Sequence, residues 1–119
     1  MDSKGEYLQS QGFDVKGSVE RFCGDEGMYY SFLARFTQDP NYSQIAPAMQ
    51  AQDYQGALAA VHTLKGVAAN LGMTPLYIAC SQMVLLLRKP DYAEAEKSYQ
   101  QVSVSYQQTL QALHGAGIC

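Results

Sequence analysis

The stretch AVHTLKGVAANLG, residues 60–72, sets a histidine, a lysine and a glycine within five residues of an otherwise apolar, helix-like run. A neutral imidazole nitrogen is a good nucleophile near neutral pH. A lysine ammonium attracts anionic oxygens through charge-assisted hydrogen bonds. On a helix, residues three and four apart are neighbours, so Lys65 and Gly66 both adjoin His62. If the imidazole carried a phosphoryl group, the lysine would hold its oxygens, and the glycine would let a second protein's active site approach closely. Mid-helix glycine costs about 0.5–1 kcal/mol relative to alanine, and that role would offset it. Taken alone, the three residues also fit blander roles. Histidine is tolerated at core boundaries, lysine is usually solvated, and glycine permits close helix packing.

The element carrying these residues is legible from its two stripes. Ala57, Val61, Leu64, Ala68 and Leu71 are spaced 4-3-4-3 and apolar, and form the expected core face. Leu58, His62, Lys65 and Ala69 form the neighbouring stripe, with Ala59 and Gly66 beside it. His62 lies about 100° round the axis from Val61, so it belongs at the core edge with its ring partly exposed. Asp53 is the expected N-cap, and Gly72 suits a left-handed C-terminal position.

The rest of the chain reads as helices separated by turn residues. Residues 1–11 are polar and expected to fray. Asp14 caps a helix over 15–23, which Gly24 ends, and Asp25 caps a second to Thr37. Tyr42, Ile45 and Met49 mark another over 41–49, kept short, bent or late-starting by Pro47. Thr74-Pro75 reads as N-cap and first-turn proline of a helix to Arg88, and Asp91 caps the last, to Leu113. Tyr92, Tyr99 and Tyr106 fall on the last helix's apolar stripe and read as packing residues. Arg88 and Lys89 suit a helix C-terminus. The expected fold is all-α: an antiparallel four-helix bundle with a short extra N-terminal helix, one domain over 1–119.

Composition narrows the function. With 47% hydrophobic residues, the 119-residue chain is globular and long enough for its own core. A net charge of −3 argues against nucleic acid as partner. The longest aliphatic stretch, MVLLL, is too short to span a membrane, and the N-terminus lacks a signal peptide's apolar core. Cys23 and Cys80 lie in apolar helical patterns and read as reduced core residues; Cys119 reads as an exposed thiol. No spacing suggests a metal site, and no GxxxxGK[ST] suggests a nucleotide. A soluble cytoplasmic protein is expected. Pairing His62 with His114 as an acid–base or metal site has little support, because His114 has no carboxylate or cysteine at ligand spacing.

HTLKGVAANLG resembles the H-x-L-K-G-x-A-x-x-L-G motif of the histidine-containing phosphotransfer (HPt) family. GFDVKGSVERFCGDEGMYYSFLARF, residues 12–36, is similar to that family's N-terminal helix pair, and QDY and CSQ fall where the family has similar features. The resemblance covers about 12–113. It implies a four-helix bundle with an exposed active histidine on the second bundle helix. It implies His62 as phosphoacceptor through Nε2, Lys65 as phosphate-stabilising residue and Gly66 as clearance for the partner. The implied partners are a response-regulator receiver domain and a hybrid sensor histidine kinase, with Mg²⁺ on the receiver and no cofactor here. A monomer is expected, docking through Leu58, Ala59, Ala69 and part of the 41–49 helix, with no autonomous ATP-dependent kinase activity.

One position departs from the family. Where many members carry Gln or Glu to bond the imidazole, 22 residues after the histidine, this chain has Val84. Gln82 is close in sequence but on a different helix face. The alternative reading follows: a non-catalytic bundle of this family that binds a receiver or kinase without phosphotransfer.

Overall fold

Five aspartates set where helices begin. In a computed structural model describing residues 2–118, Asp2, Asp14, Asp25, Asp53 and Asp91 each accept a hydrogen bond from the backbone N–H three residues on. They open α1 (Ser3–Ser10), α2 (Val15–Arg21), α3 (Glu26–Phe36), α5 (Tyr54–Asn70) and α7 (Tyr92–Gly115). The other two helices, α4 (Asn41–Gln50) and α6 (Thr74–Arg88), start without a side-chain cap. Among the described residues there is no strand, only an isolated antiparallel bridge between Phe13 and Met73.

The four-helix bundle is α4 to α7. Adjacent helices are joined by turns of three residues, which makes them antiparallel neighbours, and α4–α5, α5–α6 and α6–α7 pack most extensively. Tyr42 of α4 ties the first helix to the last: its ring stacks 3.8 Å from Tyr106, and its hydroxyl donates to Ser103 Oγ at 2.9 Å. Pro47 lies inside the ten-residue α4, where the carbonyl it leaves unbonded, that of Ser43, belongs to an exposed residue.

The N-terminal region differs from expectation in two ways. Residues 3–10 form α1 instead of fraying, because Asp2 caps the helix, Leu8 is fully buried and Tyr30 donates to Asp2 Oδ1 at 2.8 Å. The bundle is therefore preceded by three helices, α1 to α3. Cys23 is exposed and not in the core: α2 stops at Arg21, and Cys23 (φ +57) and Gly24 (φ +80) form the left-handed turn that follows. Cys80 is buried as expected. Cys119 lies outside the described residues.

The junction between α5 and α6 fixes the direction of both. Gly72 takes φ +70, and a side chain there would press within 2.6 Å of the Asp14 backbone carbonyl. Met73, not Thr74, occupies the N-cap position: its side chain is fully buried and its neighbour across the bridge is Phe13. Thr74 becomes the first helical residue, with Pro75 behind it.

Candidate functional site

The register of α5 decides what reaches the surface. Ala57, Ala60, Val61, Leu64 and Ala68 are buried, and Leu71 is 4% exposed just past the end. The opposite face carries His62, Ala59, Gly66 and Ala69, all exposed. His62 thus stands fully on the outer face, farther out than the expected core edge. Leu58 is half-buried and packs against the core, so within the expected docking face the exposed part is Ala59 and Ala69. Ala59, Gly66 and Ala69 keep the surface low along the stripe beside the imidazole, over almost three turns.

Gly66 separates its two readings. Beyond its chain neighbours and the adjoining backbone of α5, a methyl built on its Cα would meet no atom of the protein within 4 Å. No helix packs against it, and its φ is not positive, so neither close internal packing nor backbone geometry requires glycine there. What remains is open space directed outward, one turn from the imidazole.

Lys65 is half-buried at the edge of this face that meets α6. Its Nζ lies 6.0 Å from the ring centroid of Tyr77, the length of a cation–π contact. Neither α5 nor α6 contains an Asp or Glu. Spacing within the motif does not point to Tyr77. Its only sequence signal is an aromatic on the outward side of the helix after the motif, and it is 37% exposed.

Val84 is 1% exposed and belongs to the core, so α6 offers no amide or carboxylate at that position. Gln82 faces the other way, into a groove shared with Gln101, Ser105 and Gln108 of α7. The nearby hydroxyls are committed to their own helices: Thr63 Oγ1 donates to the Ala59 carbonyl at 2.9 Å, and Ser81 Oγ to the Tyr77 carbonyl at 2.8 Å. His114 sits on the last turn of α7, next to Gly115, which packs against Tyr7 of α1; the fold puts the two histidines on different helices. Among the described residues no group of three or more His, Cys, Asp or Glu is placed to hold a metal ion.

The C-terminal end of α5 is held by residues far away in sequence. Arg21 Nη2 donates to the carbonyls of Ala69 and Asn70, both at 3.0 Å, and Tyr29 Oη to that of Leu71 at 2.8 Å. These add partners at the helix's terminal carbonyls, where that of Ala69 also accepts from Gly72 N–H at 3.3 Å, and the guanidinium adds positive charge where the helix dipole is negative. A shallow hollow of about 270 Å³ opens there, lined by Arg21, Ala69, Thr74 and Tyr77 among others, continuous with the low face of α5.

The bundle turns the His62 imidazole outward, with Lys65 and Gly66 one turn further along the same helix. The family model of the Hpt domain matches residues 35–116, and the chain belongs to the histidine-containing phosphotransfer family. No curated protein and no solved structure matches it. Hpt domains work in two-component phosphorelays, as phosphotransfer intermediates and not autonomous kinases, and interact there with receiver domains and kinases. No helix among the described residues is long and apolar enough to cross a membrane.

Proposed function

We propose that this protein is a phosphorelay intermediate in which His62 accepts and donates the phosphoryl group, working as a cytoplasmic monomer between a hybrid sensor kinase and response-regulator receiver domains. The observation that carries this reading is the empty space at Gly66: a costly residue, required by nothing inside the protein, beside an exposed imidazole.

The step is balanced without an added acid or base. Nε2, the ring nitrogen farther from the backbone, attacks the phosphorus of a receiver aspartyl phosphate. The P–N bond forms, the P–O bond to the carboxyl breaks, and the aspartate leaves with the electron pair. The proton stays on Nδ1, and the product is an N-phosphorylated imidazolium. The reverse step returns the phosphoryl group to an aspartate. Mg²⁺ and the acidic pocket belong to the receiver. Lys65 neutralises part of the phosphoryl charge, and Ala59, Gly66 and Ala69 let the receiver close over the imidazole.

Incubation with a phosphorylated receiver should give an acid-labile adduct on His62 that is absent from His62→Gln. Label taken up equally by His62→Gln would refute the assignment. Val84 favours a second reading, docking without transfer, since no side chain at that position can orient the ring. Receiver binding unaffected by His62→Gln, with no transfer from any receiver, would select it.

A further inference from the structure

We propose that Tyr77 is a positioning residue of the same site: its ring holds the Lys65 ammonium against α6 and so weights the transfer equilibrium toward unphosphorylated His62. This rests on the phosphorelay reading. Lys65 is only partly exposed, and neither its own helix nor α6 carries a carboxylate to pair with it. The partner present is the face of Tyr77, 6.0 Å from Nζ to the centroid. Tyr77 belongs to α6, whereas His62 is on Lys65's own helix, one turn back. The ring and a phosphoryl group on His62 therefore draw the ammonium to different places.

Phosphorylation places an anionic phosphoryl group with three acceptor oxygens on the imidazole. A charge-assisted hydrogen bond to that group is stronger than a cation–π contact at an exposed site, so the lysine crosses over and the contact with Tyr77 is lost. That loss is a fixed cost to the phosphorylated state. It corresponds to about a two- to five-fold lower ratio of phosphorylated to free His62 than the same protein would show without the ring. The phenol oxygen has no part in this, so phenylalanine should substitute. With Val84 leaving ring orientation unassigned, the Lys65–Tyr77 pair is the contact from α6 that acts on the site.

The test is the equilibrium distribution of phosphoryl group between a receiver and the wild type, Tyr77→Leu, Tyr77→Phe, Lys65→Met, and the Lys65→Met/Tyr77→Leu double variant. At equilibrium between free proteins, changes in docking affect rates and not the ratio. Tyr77→Leu should raise the phosphorylated fraction ratio about two- to five-fold. Tyr77→Phe should match wild type, and in the Lys65→Met background Tyr77→Leu should do nothing. Ring-current displacement of the Lys65 ε-methylene protons should be present in wild type and Tyr77→Phe, lost in Tyr77→Leu, and reduced on phosphorylation. An unchanged or lower ratio in Tyr77→Leu, the same gain in the Lys65→Met background, or no ring-current displacement in wild type overturns the proposal alone. A wild type that accepts no phosphoryl group from any receiver overturns the phosphorelay reading, and this proposal with it.

Discussion

Replacing Gly66 with alanine separates stability from function at one position. The residue is in the interior of α5, exposed, with helical backbone geometry, and nothing beyond the adjoining α5 backbone and its chain neighbours lies within 4 Å of an added methyl. Alanine there gains helix propensity without a packing penalty, about 0.5–1 kcal/mol. For a domain of this size that raises the midpoint of thermal unfolding by about 2–5 °C, measured by circular dichroism at the helix band. Transfer should move the opposite way. A methyl forced into a close protein–protein contact costs about 1–3 kcal/mol when the surfaces cannot shift, which is roughly a 5- to 150-fold loss in the transfer rate from a receiver. Two results would refute the reasoning. Destabilisation would mean that glycine serves the protein's own packing. Stabilisation with unchanged transfer would mean that no partner comes close to Gly66.

Further outcomes follow from the same structure. Gly72→Ala should destabilise by about 1–3 kcal/mol in chemical denaturation, since φ +70 and the Asp14 carbonyl both oppose a side chain. Lys65→Met should keep the fold by circular dichroism but slow transfer to His62, since phosphoryl charge would then develop without its cation. In the native protein Cys23 should react with a thiol reagent at mildly alkaline pH while Cys80 stays inert until denaturant is added, because Cys23 is exposed and burial pushes the Cys80 thiol up to about 12. The same raised value, with that of Tyr29, also pushed up to about 12 by burial, predicts alkaline sensitivity. Both groups release protons more easily when unfolded. Their contribution is therefore complete below the unfolded value of 9.0 for the thiol and is lost as pH rises from there through about 12, which a denaturation series across that range will read.

Much of the scaffold can be read from local chemistry. Asp14, Asp25, Asp53 and Asp91 announce four helix starts because an N-cap depends on residues within one turn. The 4-3-4-3 stripe from Ala57 to Leu71 sets the core face through helical period alone, although it puts His62 at the core edge and the structure puts it fully outside. The departures come from contacts distant in sequence. The polar stretch at the N-terminus is ordered by Leu8 and by a tyrosine 28 residues past Asp2. Thr74 has the right residue type for a cap, but the Phe13–Met73 bridge puts Met73 there instead. Arg21 at the carbonyls of Ala69 and Asn70, and Tyr77 beneath Lys65, leave no trace in spacing because each partner lies on another helix. Gly66 fits two roles in the sequence, because the volume around it is set by packing between helices and not by local pattern.

The most direct test of the account is to incubate the protein with a phosphorylated receiver domain and Mg²⁺, stop the reaction at alkaline pH where phosphohistidine survives, and map the adduct by mass spectrometry. One phosphoryl group on His62, labile in acid and absent from His62→Gln, is the predicted result. A phosphoryl group on another residue, or none from any receiver of the source organism while binding persists, would contradict it.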